Sequence, residues 1–325
     1  MHAPRRWFAI ILAGFAALSA IGGGIEMVVW PTGNAYLPIE LLAPTVFDSF
    51  LVPGLVLALV VGGSCLVAAV LEVRRAHAAL DGTMLAGAIL AGWIAVEMAM
   101  LREVHWLQAI YGGIGACLLA LGIRNAWRLG SLRHRWTIVV TAMEALGFLA
   151  PALAGLFAHR VGLSPLAGGA LVVAGGFVEG LALGTGQAVV FPLPIRRLRY
   201  AMLTSLGAGL VWSLAMSAMG LADSSPAVAA LVMVPAGALG LLAIGTAQWL
   251  ELRHHISGAR RWIGWTALAW ALGLPLSFGP GPFVDEATPL SSHVVMWAAG
   301  GLLMAYVMAS ITWFGVRRLV PDATR

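Results

Sequence analysis

Ten stretches of this chain stay apolar for roughly 17–25 residues, the length at which a helix crosses a bilayer. They run at about 7–30, 51–73, 84–101, 106–123, 137–158, 166–191, 201–220, 227–252, 263–279 and 294–316. In hydrocarbon every backbone N–H and C=O must bond within the protein, and runs of this length achieve that as helices. The expected fold is therefore an all-α polytopic transmembrane helical bundle of about ten spans. Composition agrees with this: 60% of the 325 residues are hydrophobic and 10% are charged, which is too apolar for a soluble globule.

Arginine sets the expected orientation. All 19 basic residues are Arg. Arg5/Arg6, Arg74/Arg75, Arg124/Arg128/Arg133/Arg135, Arg196/Arg197/Arg199, Arg253/Arg260/Arg261 and Arg317/Arg318/Arg325 fall on one side of the span pattern, and only Arg102 and Arg160 fall on the other. Cytoplasmic loops concentrate Arg and Lys, so an even number of spans with both termini cytoplasmic is expected. The opposite loops, such as 31–50, 221–226 and 279–293, are short or acidic. The first 20 residues look like a signal peptide, but the apolar run continues to Trp30 and is long enough to span. An Arg-only, Ala- and Gly-rich chain suggests a GC-rich bacterial genome, hence a bacterial plasma (inner) membrane protein. The net charge of +5 is accounted for by these loops, and no nucleic-acid partner is expected. Cys65 and Cys117 sit in apolar segments, which argues against a disulfide framework. Trp7, Trp30, Trp106, Trp136, Trp249, Trp262 and Trp313 lie near span ends, as interfacial anchors do.

The basic loop "RNAWRLGSLRHRW" (124–136) divides the chain into a four-helix unit, 1–128, and a six-helix unit, 129–325. The second contains a two-helix repeat, about 173–220 and 235–279. Gly184-Thr185-x-Gln187 aligns with Gly245-Thr246-x-Gln248, and after a basic loop Thr204 aligns with Thr266. Both copies run in the same direction, as parallel repeats do. A fainter echo links "GGGIEMVVWPTG" (22–33) with "GGFVEGLALGTG" (175–186) in helices of opposite direction. The helices thus divide four plus six or, as an inverted repeat, five plus five.

Two resemblances attach to these segments. Residues 20–123, through "GGGIEMVVWPTGN", "LVPGLVLALVVGG", "GWIAVEM" and "LQAIYGGIGA", resemble loosely DoxX-like four-helix bacterial membrane proteins. Residues 173–278 resemble a second uncharacterised type with a G-x-x-E-G-x-x-x-G-x-x-Q pattern, here Gly176 to Gln187. Neither resemblance implies a known activity.

Four carboxylates fall inside spans. Glu26 and Glu97 lie close to the external ends of their helices, within snorkelling reach of water, and His105 follows nearby. Two acids and a His are the groups for a proton relay or a metal, but their spacing does not force them together, and no metal is expected. Glu144 and Glu179 are deeper, on antiparallel neighbours joined by "HRVGLSP". Glu144 is expected about seven residues into its span, nearer the cytoplasm, and Glu179 about thirteen. A charged acid at mid-membrane costs roughly 2.5–3.5 kcal/mol on insertion scales, so desolvation favours the neutral form unless a cation or water lies close. A neutral Glu bonds a neighbouring helix for about 0.6 kcal/mol, or serves as a protonatable site.

Gly176, Gly180 and Gly184 recur at i, i+4 and i+8, a stripe that admits a close helix. Gln187 and Gln248 occupy matching repeat positions; they face each other or sit separately at the interface. The second copy carries Gly240 where the first has Glu179. Glu72 and Glu251 lie beside arginines at cytoplasmic ends, and His254 and His255 belong to a solvated loop. No hydrolase, zinc-protease, P-loop or dinucleotide motif is present, so neither an enzyme nor a cofactor is indicated. The expected function is a small-solute or proton-coupled transporter or permeation protein, with Glu179 protonatable and Glu144, Gln187 and Gln248 lining a polar track. The alternative is a non-catalytic membrane scaffold or accessory subunit. Its partners would be the lipid bilayer and an unidentified small solute or protein.

Overall fold

A computed structural model describes residues 3–43, 45, 47–76, 78–101, 105–129, 131–222, 226–278 and 290–321. The described residues form long helices: α1 (Ala3–Val29), α2 (Leu51–Val73), α3 (Ala79–Leu101), α4 (Trp106–Leu129), α5 (Leu132–Val161), α6 (Pro165–Val190), α7 (Arg197–Ala222), α8 (Pro226–Leu252), α9 (Arg261–Ser277) and α10 (Leu290–Leu319). A short 3-10 turn, Ile39–Leu42, lies between α1 and α2. Among the described residues eight helices are long and apolar enough to cross a membrane: α1 to α7 and α10. The described residues are thus all-helical and suited to multiple crossings. Of the other two, α9 has 17 residues, about 25 Å at 1.5 Å per residue. Arg102, Arg325 and most of the acidic loop 279–293 lie outside the described residues, as do residues 223–225 of the loop at 221–226.

By contacts the chain divides into two compact units. One comprises Met1–Gly130 with Gly281–Ala299, the other Ser131–Pro280 with Gly300–Arg325.

In the first unit α1 packs on α2, α2 on α3, and α3 on α4. The α1–α2 contact is close because small residues meet. A Cβ on Gly24 would lie 2.6 Å from the backbone of Gly54 and Ala58. The middle of α2, Val56–Gly62, is wound as a π-helix. At the far end of α2, Arg6 donates to the terminal carbonyls of Glu72 and Val73 at 2.7 and 2.9 Å, covering groups a helix end leaves unpaired. The buried Glu72 carboxylate accepts from Thr83 at 3.0 Å.

In the second unit α5 to α9 pack sequentially, each on the next. The α5–α6 turn is fixed by local chemistry. Gly162 adopts φ +68°, which a glycine takes without strain. Leu163 N–H then reaches back to the Ala158 carbonyl at 3.0 Å, closing the end of α5. Ser164 caps α6 by accepting from Ala167 N–H, and Pro165 follows at the first helical position. The core of this unit contains Trp136, Leu183, Tyr200, Leu252, Trp262, Met304 and Met308. Leucines such as Leu166 and Leu198 face outward, at 85% and 76% exposure, which suits a lipid-facing surface.

Two expectations change here. Helix α5 starts at Leu132, five residues before the apolar run, because a helix continues through polar residues when their backbone bonds are already templated. Trp136, Trp262 and Trp313 are not surface anchors: they are 0%, 0% and 6% exposed and belong to the core. Trp7, Trp30 and Trp106 remain exposed.

Candidate functional site

The tight α5–α6 turn determines which residues of the two helices meet. Counting away from Gly162, Glu144 and Glu179 are almost equally distant, so the hairpin brings them to one level. Glu144 is the thirteenth residue of 30 in α5 and Glu179 the fifteenth of 26 in α6. Glu144 thus lies deeper in its helix than the seven residues the hydropathy boundary implied, while still nearer the N-terminal end of α5 than the C-terminal end. The helices touch here through glycine. A Cβ on Gly147 would lie 3.0 Å from Cα of Glu179, and one on Gly175 would lie 2.6 Å from Cα of Pro151.

Both acids are buried, Glu144 at 0% and Glu179 at 4% exposure. Their carboxyl groups are within interaction range of each other. Glu179 has a further partner: the indole N–H of Trp212, on α7, donates to Oε2 at 2.6 Å. Among the described residues Glu144 has no hydrogen-bond partner other than the carboxyl of Glu179. The hydroxyl of Thr141, one turn earlier on α5, is buried without a partner among them. Buried polar groups are normally satisfied, and Glu144 depends for this on a second acid.

The glycine stripe explains how Trp212 gets there. Gly176, Gly180 and Gly184 all face α7. A Cβ on Gly176 would collide with the Trp212 ring, one on Gly180 would lie 2.6 Å from Cβ of Ala208, and one on Gly184 2.8 Å from Cα of Ala201. The stripe lets α7 approach, and its first member makes the notch that seats the indole beside Glu179.

A second polar group lies further along α6. Gln248 Nε2 donates to Gln187 Oε1 at 2.8 Å and approaches Thr204 Oγ1 at 3.2 Å. Tyr200 O–H donates to the same Gln187 oxygen at 3.0 Å. Trp262 Nε1 donates to Gln248 Oε1 at 2.7 Å. The two glutamines thus face each other directly, the first of the two arrangements open to sequence. Gln187, Gln248, Tyr200, Thr204 and Trp262 are all buried. Nearby, Trp136 donates to Thr312 at 3.2 Å and packs edge-on against Trp262.

These contacts recur in pairs. Gly184 lies on Ala201 and Thr204, and Gly245 on Ile263 and Thr266. Gln187 bonds Tyr200, and Gln248 bonds Trp262. The correspondence stops at the acid. Gly240 stands at the position of Glu179, and Leu274 stands where the same offset would place a counterpart of Trp212. The carboxylate and its donor are absent together from the second helix pair.

The remaining candidates sit elsewhere. Glu26 accepts from Asn34 at 3.0 Å. Glu97 accepts from Gln108 at 3.1 Å, and Gln108 in turn accepts from the backbone N–H of His105. Each thus has a local partner, and among the described residues no three His, Cys, Asp or Glu side chains are grouped to hold a metal ion. Glu251 is tied to the α6–α7 loop by Arg196 N–H at 2.9 Å and to Arg199 at 3.3 Å, and His255 approaches it at 2.9 Å. His255 is therefore engaged in an interaction rather than simply solvated.

Sequence reading did not find Trp212 or Tyr200. A tryptophan mid-span, away from either interface, was the available signal for Trp212. The alignment of Tyr200 with Trp262, two hydrogen-bonding aromatics at one offset, was the signal for the other. The chain matches no protein-family model, no curated protein and no solved structure.

Proposed function

We propose that this chain is a ten-span bacterial inner-membrane protein with both termini cytoplasmic, and that it couples proton binding at Glu144 and Glu179 to passage of a small solute. The observation that carries this reading is the fully buried carboxyl of Glu144, whose one partner among the described residues is a second buried acid, Glu179. Two ionised carboxylates side by side in a low-dielectric interior repel each other and lose their hydration, so such a pair retains a proton. A group serving only to lock helices would have its hydrogen bonds filled. Gln187 and Gln248 meet that description, so in this reading they are framework and the polar track narrows to Glu144, Glu179 and Thr141. The matched glycine and glutamine contacts support descent of α6–α7 and α8–α9 from one repeated helix pair, with the acid added to one copy.

The test is proton uptake by proteoliposomes containing a pH-sensitive dye, under an imposed potential. Wild type is expected to pass protons in a pH-dependent manner, and Glu179→Gln and Glu144→Gln to lose this while folding normally. Unchanged flux in both variants would remove the proton role.

The Gln187–Gln248 network favours a second reading, a membrane scaffold or accessory subunit whose buried polar residues hold helices in register. Under it Glu179→Gln lowers thermal stability or partner capture and leaves no flux to lose.

A further inference from the structure

The α5–α6 contact contains more than two acids. Pro151 lies inside α5 and is buried. Proline has no N–H, so the carbonyl four residues earlier, that of Gly147, lacks its helical donor. Gly147 and Pro151 both face α6, against Glu179 and Gly175 respectively. Freed helix carbonyls beside carboxylates are how broken membrane helices hold coupling cations. Glu144 is one turn before Gly147 on the same helix, fully buried, and no group other than the Glu179 carboxyl bonds its oxygens among the described residues. Trp212 engages Oε2 of Glu179, so Oε1 is the oxygen that Glu179 can offer.

We propose that Glu144, Glu179 and the Gly147 carbonyl form a binding site for a small monovalent cation, Na⁺, which exchanges one-for-one with a proton. The inference rests on the reading that this pair binds protons, and it names the ion that competes there. The donor set is oxygen alone, which selects a hard cation over zinc, copper or iron. Two carboxylates and one carbonyl are fewer oxygens than the six to eight that Ca²⁺ takes. Charge fixes the exchange ratio, and the few oxygens select the monovalent ion. With both acids protonated the site is neutral. Loss of one proton and gain of one Na⁺ leaves one carboxylate, one carboxylic acid and one cation, again neutral. In a medium where net charge is expensive, that one-for-one exchange is permitted; a divalent ion would need both protons to leave, and the three oxygens here fall short of the coordination such an ion takes. Each acid is the ionisable neighbour of the other among the described residues; α7 contributes the non-titrating indole of Trp212.

The experiment uses the full chain, purified in detergent, with NaCl, KCl and N-methylglucamine chloride at matched ionic strength. Thermal unfolding is followed across mildly acidic to mildly alkaline pH, with calorimetric Na⁺ titration in buffers of different ionisation enthalpy. Na⁺ is expected to raise Tm more than K⁺ or N-methylglucamine. The Na⁺ concentration for half effect should rise about tenfold per unit fall in pH, and about one proton should leave per ion bound. Pro151→Ala keeps both acids but returns a donor to Gly147, and should weaken Na⁺ without abolishing proton uptake. Glu144→Gln should remove the Na⁺ effect; the calorimetric proton count on wild type decides the matter if that variant does not fold. No Na⁺-specific shift at any pH, or Na⁺ binding without proton release, overturns the site. Proton uptake that is insensitive to Na⁺ overturns this inference and leaves the proton reading standing, whereas absence of both overturns the two together.

Discussion

The indole N–H of Trp212 donates to Oε2 of Glu179 at 2.6 Å, across a contact that exists because residue 176 is glycine. A donor of this kind stabilises an ionised carboxylate, by about 1.5–3 kcal/mol when buried. Trp212→Phe keeps the ring and removes the donor. The pH dependence of flux should then differ from that of wild type. Proton flux against pH in proteoliposomes checks this. An unmoved profile with full activity would show that the bond is only structural.

The Gln187–Gln248 pair is expected to matter for stability rather than flux. Gln248→Leu strands the Trp262 indole and takes one donor each from the Gln187 oxygen and the Thr204 hydroxyl, which keep the Tyr200 hydroxyl and carbonyl as partners. Each buried group left unpaired costs about 1–3 kcal/mol, partly relieved where Tyr200 still donates. Tm in detergent should fall clearly. A double-mutant cycle with Gln187→Leu should show coupling of at least about 0.5 kcal/mol, because the residues are in direct contact.

Glycine substitutions should sort by what each new Cβ meets. Gly180→Ala forces a methyl to within 2.6 Å of Ala208 Cβ and 2.8 Å of the Thr204 carbonyl, which neither rigid helix can yield. A loss of about 1–3 kcal/mol is expected. Gly264→Ala meets nothing within 4 Å on α9 and should be neutral or stabilising by up to about 1 kcal/mol. Unfolding of the two variants side by side reads the difference.

The order and type of the elements were legible because ten apolar runs admit only helices in lipid. The glycine stripe was legible for the same kind of reason, since its four-residue spacing places three small residues on one face. What sequence missed traces to ends and to third partners. Hydropathy cannot see that "LRHRW" continues α5, so it undercounts how far into its helix Glu144 lies. It reads Trp136 and Trp262 as interfacial because they lie near span ends, yet their indoles donate to Thr312 and Gln248 inside the core. The link between Trp212 and Glu179 depends on the packing angle of α6 against α7, and no spacing within one helix encodes that.

Glu144 and Glu179 are expected to be carboxylic acids inside the protein at neutral pH. Infrared difference spectroscopy of a pH titration observes this directly, through the carboxylic-acid C=O stretch. At neutral pH the wild-type protein should show a protonated carboxyl band that shifts in D₂O, fades as pH rises, and is missing from the Glu144→Gln/Glu179→Gln double variant. Identical spectra for wild type and double variant, with no such band at neutral pH, would contradict the account.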